Sequence, residues 1–238
     1  MVKLQYLLRA PATAGAGAFR DRALAVGARL LASGPARLKL TFTAEEPPRL
    51  SVMPFRRDRL ALVSLWDEAS PEAAVARWNA LLQGEGAAAG YRVVESLPRA
   101  YARDWPDGRD TPGGSMLTLL HRRAGLTDAE FLRRWHEGHS PLALGIHPLW
   151  NYVRNVVASP ALPGSPPLDG IVEEQVRARG ELLDPTRFFG GWLRMLPSML
   201  RVYRDVRGFL DLAAIENYLV TERWLRADRG ADPQPGAR

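Results

Sequence analysis

Hydrophobic and polar positions follow two different spacings along the first hundred residues. In "ARLKLTFT" the apolar residues Leu38, Leu40 and Phe42 alternate with polar ones, which is typical of a half-buried strand. Three further segments have the composition of strands, namely residues 2–10, 59–66 and 91–97. Between these segments, apolar residues recur every three or four positions, which predicts helices at 17–34 and 70–84. The predicted order is β-α-β-β-α-β, as in a ferredoxin-like fold.

The helix predicted at residues 70–84 has the clearest local signals. Ser70 is a favourable N-cap, Pro71 occupies the first helical position, and Glu72 complements the positive end of the helix dipole. The buried stripe of this helix is predicted to consist of Val75, Trp78, Leu81 and Leu82.

The same order of elements begins again after a segment rich in proline, glycine and aspartate. A helix is predicted at residues 125–139, with Thr127 as N-cap, Glu130 completing a capping box, and Gly138 marking its end. The predicted strands of this second part lie at residues 115–122, 148–157, 168–176 and 215–225.

The second helical segment of this part is predicted at residues 184–211. Pro197 lies within it and is expected to break or kink the helix. The core stripe is predicted to contain Phe188, Phe189, Trp192, Leu196, Met199 and Tyr203.

Two four-stranded sheets with helices on one side would each leave an apolar face uncovered. Packing these faces together predicts an α+β fold of two tandem ferredoxin-like (βαββαβ) halves, arranged sheet-to-sheet as an intrachain dimeric α/β-barrel. The predicted divisions are a first half at residues 1–98, a linker at 99–113, a second half at 114–226 and a disordered tail at 227–238.

Composition argues against several classes of protein. The formal charge is +6, but the 32 basic residues are interleaved with 26 acidic ones, so no basic run predicts binding to nucleic acid. The absence of cysteine excludes disulfides, thiolate metal sites and a cysteine nucleophile. No apolar run approaches the ~20 residues of a membrane span, and the stretch from Leu4 to Leu8 is too short for a secretory signal. We therefore expect a cytoplasmic protein without nucleic-acid or membrane partners.

The stretch "GLTDAEFLRRWHEGHSPLALGIHPLWNYVRNVV" resembles the central signature of the EthD-like family. The signature positions are filled by Phe131, Trp135, His139, Pro141, Leu142, Pro148 and Tyr152. The resemblance covers residues 114–226 and implies a relative of the dimeric α/β-barrels. Its wider fold group includes cofactor-free monooxygenases, cyclases, isomerases, dehydratases and some haem-binding enzymes, so the resemblance implies the fold more than the reaction.

All four histidines lie between positions 121 and 147, within the second half. When "FRDRALAVG" is set against "FLRRWHEGH", Ala23 lies opposite Trp135 and Gly27 lies opposite His139, so only the second half is expected to carry a site. Histidine has an ordinary pKa of about 6.5 and can transfer protons at neutral pH, although His139 could equally bond a nearby carbonyl group in a structural role.

The predicted catalytic residues are His139, Arg154 and Tyr152. The guanidinium of Arg154 suits a carboxylate or an enolate oxygen, and it shares a strand face with Trp150 and Tyr152, which could alternatively serve as packing. The residues predicted to bind substrate are Phe131, Trp135, Trp150, Asn155 and His121. His136 lies three residues before His139, but a stable metal site needs about three or four converging ligands, so no metal is predicted.

The function predicted from the sequence is that of a cofactor-independent lyase or isomerase in catabolism or secondary metabolism. It would act by histidine acid/base chemistry on a small hydrophobic oxygenated molecule (polyketide-like, aromatic or terpenoid), by dehydration, isomerisation or cyclisation. One alternative is a cofactor-free or haem-dependent monooxygenase or oxidoreductase, and another is a non-catalytic module that binds a hydrophobic ligand. The expected assembly is a monomer with an internal pseudo-twofold axis or a homodimer.

Overall fold

Residues 1–49 and 51–227 are described in the computed structural model of the chain. Successive side chains of each strand point alternately toward the helices and into the interior of a barrel, as in β2. Leu38 and Leu40 of this strand pack in the core beneath the helices, whereas Lys39 and Thr41 bond to acidic residues inside the barrel. The strands are β1 (Val2–Ala10), β2 (Arg37–Phe42), β3 (Arg59–Asp67), β4 (Ala87–Arg99), β5 (Gly114–Leu120), β6 (Leu149–Pro160), β7 (Gly170–Val176) and β8 (Glu216–Arg226).

These strands form a closed barrel in the order β1-β3-β2-β8-β5-β7-β6-β4, and every neighbouring pair is antiparallel. The first four strands are adjacent in the order β4-β1-β3-β2, and the last four repeat this order as β8-β5-β7-β6. The β2–β8 and β4–β6 pairs join the two groups. The prediction of a mixed α/β fold with a barrel is confirmed at this level.

Helices cover the outer faces of the barrel. The first group of strands is covered by α1 (Ala16–Ala32) and α2 (Pro71–Gly84). The second group is covered by α3 (Asp128–Arg133), a π-helical segment (Arg134–His139), α4 (Ser140–Ile146), α5 (Arg179–Leu183), α6 (Pro185–Phe188) and α7 (Trp192–Val206). Within the described residues, no helix is both long and apolar enough to cross a membrane.

The predicted helix starts are confirmed. Ser70 Oγ accepts a hydrogen bond from the backbone N–H of Ala73 at 3.3 Å, and Thr127 Oγ1 accepts one from the N–H of Glu130 at 3.2 Å. Only this half of the capping box forms at α3, because the Glu130 carboxylate binds Arg133 and Arg134 instead. The predicted buried stripe of α2 is incorrect at Leu81, because the side chain of this residue is exposed.

The second half differs from the prediction at two helices. The helix does not end at Gly138, because the π-helical segment continues directly into α4. Pro197 does not end α7, which extends to Val206. The predicted stripe of α7 is wrong for Trp192, Leu196 and Tyr203, which are exposed, since the helix turns Met195, Met199, Val202 and Val206 toward the protein instead.

The inside of the barrel holds a buried ionic network. Lys39 Nζ lies 2.7 Å from Glu173 Oε2 and 3.1 Å from Glu222 Oε2. Lys3 Nζ donates a hydrogen bond to Asn155 Oδ1 at 2.6 Å, and burial lowers the pKa of Lys3 to about 8. The inward strand faces also carry a hydrophobic cluster that includes Leu62 and Leu119, so structural ion pairs and apolar side chains together occupy the lumen. The predicted tail at 227–238 lies, apart from residue 227, outside the described residues.

Candidate active site

A cavity of about 110 Å³ lies between the outer face of the second group of strands and the helices that cover it. Its walls are mainly apolar and include Met116, Leu120, Val172, Val202, Val206 and Phe209. The polar side chains among its lining residues are those of Thr118, His139, His147, Tyr152, Glu174 and Asn217. An apolar enclosure with a few converging polar groups is the usual form of a small-molecule site.

His139 is held in the cavity by an aspartate from a helix that is far away in the sequence but adjacent in space. It is the last residue of the π-helical segment, and its Nδ1 lies 2.7 Å from Asp205 Oδ2 on α7. A carboxylate in this position accepts a hydrogen bond from Nδ1–H, which leaves Nε2 as the basic nitrogen. A π-helical insertion, which often marks a functional site, displaces side chains relative to a regular helix. This geometry is one in which a histidine can accept a proton at Nε2 while the carboxylate orients its ring.

Glu174 is a second titratable group in the same cavity. It lies on β7 opposite Tyr152 of β6 and is buried. Among the residues that the structure describes, none forms a hydrogen bond with its carboxyl group. Burial raises the pKa of Glu174 to about 7, and the nearby His139 opposes this rise. A carboxyl group with such a pKa can both donate and accept a proton near neutrality.

Tyr152 contributes a neutral hydroxyl group. Its Oη lies 3.4 Å from Ser140 Oγ and 3.4 Å from Trp135 Nε1, and burial raises its pKa to about 12. Ser140 Oγ in turn accepts a hydrogen bond from Arg154 Nη1 at 2.9 Å. Arg154 is thus connected to the cavity only through Ser140 and does not line it.

Trp135 forms a wall of the cavity and fits there because β7 begins with glycine. A Cβ atom on Gly170 would lie 2.6 Å from Cη2 and 2.7 Å from Cζ3 of Trp135. Trp135 is completely buried by this contact and by its neighbours. The absence of a side chain at Gly170 therefore leaves room for the indole ring of Trp135.

The other residues predicted to bind substrate lie away from the cavity. Phe131 packs behind Trp135 and Phe209, with ring centroids 5.6 and 6.0 Å away. Trp150 packs against Tyr101 and Trp105 of the 100–113 segment, because a bulge between Leu149 and Asn151 changes the register of β6. Asn155 belongs to the ionic network inside the barrel, and His121 follows the end of β5 without lining the cavity.

Sequence reasoning missed Glu174 and Asp205. Glu174 had a usable signal, because it alternates with Val172 and Val176 and so places an acid on an apolar strand face. Asp205 had no such signal, since it is 66 positions from His139 and only the tertiary structure joins them.

His147 has a structural role at the edge of the cavity. Its Nδ1 lies 3.0 Å from the carbonyl oxygen of Phe188, and its ring stacks on that of Phe188 at 4.0 Å. Burial lowers its pKa to about 4, so His147 is a neutral ring at pH 7. No group of three or more histidine, aspartate or glutamate side chains within the described residues could hold a metal ion.

The described part of the first half is closely packed around Gly27, the position that the sequence alignment sets opposite His139. A Cβ atom on Gly27 would lie 2.6 Å from the side chains of both Leu40 and Leu225. The two leucines therefore leave no room for a side chain at Gly27.

The fold and the site together define a closed α/β-barrel with a mainly apolar cavity on one side, lined by His139, Tyr152 and Glu174. The EthD domain family model matches residues 123–213, which include His139, Glu174 and Asp205. Residues 123–213 are therefore similar to the EthD domain, as the resemblance implied.

Two solved structures share the fold over nearly the full chain. An anthrone oxidase-like protein has a TM-score of 0.53 at 13% identity, with 97% of this chain and 96% of that chain covered. A candidate monooxygenase from Fusobacterium nucleatum subsp. nucleatum has a TM-score of 0.50 at 6% identity, with 94% of this chain and 92% of that chain covered. At these identities the likeness shows the fold alone. No curated protein sequence is significantly similar to this chain.

Proposed function

We propose that the protein is a cofactor-independent enzyme that moves protons on a small hydrophobic, oxygenated molecule bound beside His139. The observation that carries this proposal is the convergence of the His139–Asp205 pair and Glu174 on one apolar cavity. Two proton carriers with different environments in one enclosed site are typical of acid/base catalysis.

The proposed reaction begins with removal of a proton from a carbon atom next to a carbonyl group. His139 Nε2 would accept this proton, and Asp205 would stabilise the resulting imidazolium. Glu174, with a pKa of about 7, would deliver a proton to the oxygen or to a second carbon atom. The neutral hydroxyl group of Tyr152 could donate a hydrogen bond to the developing enolate oxygen. Isomerisation, dehydration and cyclisation all follow from this enolate.

The size of the cavity limits the substrate. A cavity of roughly 150 Å³ holds a benzene molecule, so the observed 110 Å³ accommodates at most about one ring. A larger polycyclic substrate would require α7 to move outward, since Val202 and Val206 of this helix close one side.

The division of the chain belongs to the same proposal. Each group of four strands has the order and the helix pattern of a ferredoxin-like unit, which supports two halves at residues 1–98 and 114–226. In this view, the first half completes the barrel and the second half performs the chemistry.

The experiment combines a binding screen with an assay of conversion. Small cyclic ketones, hydroxyketones and phenols that raise the Tm of the protein are incubated with it and analysed by mass spectrometry. We expect His139→Gln to reduce conversion about 10²- to 10⁴-fold, whereas the matched change His121→Gln, outside the cavity, leaves it unchanged. Compounds that bind in the cavity but are never converted would instead support a binding module.

A second candidate function is oxidation by O₂ in the same cavity. It is favoured by the names of the two structural neighbours, one anthrone oxidase-like and the other a candidate monooxygenase. Both functions require the same first deprotonation, and an oxygen electrode separates them, because only the oxidase consumes O₂ with the substrate. Haem does not fit, since the cavity is much smaller than a tetrapyrrole and His147 is held by Phe188.

A further inference from the structure

The α7 outer face, which we define as Trp192, Leu193, Leu196, Leu200 and Tyr203, is an exposed apolar surface. The exposed fractions of these side chains are 80%, 95%, 68%, 47% and 52% in that order. Single exposed apolar residues are ordinary, but five on one helix form a patch of the kind that contacts another apolar phase.

The neighbouring face of the same helix packs against the barrel. Met195, Met199, Val202 and Val206 contact the core of the second half. The helix therefore also carries apolar side chains that its attachment to the barrel does not use. Because α7 is apolar on more than one face, the sequence pattern wrongly assigned Trp192, Leu196 and Tyr203 to the core.

Basic residues lie beside the α7 outer face. Arg194, Arg201 and Arg204 are exposed, and within the described residues none of them forms an ion pair. The acidic residue of this helix, Asp205, is already bonded to His139. A groove of about 310 Å³ between α4 and α7 is lined by Arg194 and Arg201 together with apolar residues such as Leu193 and Pro197. Such a groove suits an amphiphile with an anionic head and an apolar tail.

We propose that the α7 outer face binds the surface of an anionic lipid bilayer. Apolar side chains that include tryptophan and tyrosine, next to arginines, are characteristic of helices that lie in the membrane interface. A second copy of the chain is a poorer fit, because a twofold contact through this face would bring the same unpaired arginines together. This proposal departs from the expectation, drawn from the sequence, that the protein has no membrane partner.

Membrane binding at this face also has a consequence for the cavity. Val202 and Val206 line it, and Asp205 orients His139, so one helix separates the bilayer from the site. A hydrophobic substrate dissolved in the membrane would reach the protein next to the cavity.

The test is cosedimentation of the full chain with vesicles of phosphatidylcholine, alone or mixed with an equal amount of phosphatidylglycerol. Because each basic residue near an anionic surface adds a several-fold effect, we expect about tenfold or tighter binding to the mixed vesicles, and release at high salt. Leu193→Gln with Leu196→Gln should weaken this binding about tenfold or more. Arg201→Gln with Arg204→Gln should remove the preference for anionic vesicles.

A matched control is Val94→Gln with Leu97→Gln, which changes two exposed apolar residues of β4 outside this face. It should leave vesicle binding unchanged. The proposal is overturned if the wild-type protein stays in the supernatant with anionic vesicles, or if the control weakens binding equally. It is also overturned if the protein binds no vesicles but forms a dimer that the Leu193 and Leu196 changes dissociate.

Discussion

Replacing Glu174 with glutamine should stabilise the protein and inactivate it at the same time. Glutamine has nearly the same shape as the protonated glutamate but cannot ionise. In the folded protein, burial raises the pKa of Glu174 from 4.5 to about 7, whereas the unfolded chain has the ordinary value. The effect on stability therefore depends on pH in a defined direction.

Below the unfolded pKa, near pH 4.5, the carboxyl group is neutral in both states and does not oppose folding. As the pH rises toward 7, the unfolded chain releases its proton while the folded protein retains it, so stability is progressively lost. Above pH 7 the loss is constant, at about 3 kcal/mol if each pKa unit corresponds to ~1.4 kcal/mol. The glutamine variant avoids this loss.

The assay is urea unfolding of the wild-type and Glu174→Gln proteins at pH 5 and pH 8. We expect the variant to be more stable at pH 8 by about 3 kcal/mol, and the difference to shrink to about 1 kcal/mol at pH 5. A difference that does not change with pH, or a variant that is less stable at pH 8, would refute the assignment of a buried carboxyl group with a raised pKa.

Three further predictions concern the residues around the site. Gly170→Ala should lower the free energy of unfolding by about 1–3 kcal/mol, because the added Cβ forces Trp135 to move. Gly145→Ala should not destabilise the protein, because no atom lies near the added Cβ, and thermal unfolding of both variants checks this. Thr127→Ala should lower the free energy of unfolding by about 1 kcal/mol, because the N–H of Glu130 loses its hydrogen bond to Thr127 Oγ1. Thermal unfolding measures this change, and an unchanged stability would contradict the capping role of Thr127. Asp205→Asn should lower kcat/KM by about hundredfold or more on any substrate found, because the amide no longer selects the tautomer of His139. The pH profile of kcat/KM should also change, and an unchanged profile would argue against a functional His139–Asp205 pair.

The parts of the structure that local chemistry decides were predictable from the sequence. Ser70 and Thr127 cap their helices through atoms three residues away, and alternation in β2 assigned Leu38 and Lys39 to opposite faces. These features depend only on near neighbours in the chain, so a sequence pattern contains them.

The parts that depend on tertiary contacts were not predictable in the same way. No local pattern predicted the π-helical segment that ends at His139, the bulge beside Trp150 that changes the register of β6, or the pairing of His139 with Asp205. The orientation of α7 was also undecided, because its apolar residues surround more than one face and either side could have met the barrel.

The most direct test of the account is hydrogen–deuterium exchange at carbon, followed by proton NMR in D₂O on carbonyl compounds that bind the protein. The proposed chemistry predicts that wild-type protein exchanges the hydrogen next to the carbonyl group far faster than buffer, that His139→Gln abolishes this exchange, and that His121→Gln does not. Exchange occurs whether the enolate proceeds to isomerisation or to oxidation, so the test does not depend on the later steps. Ligands that occupy the cavity and exchange no faster than in buffer would contradict proton transfer by His139.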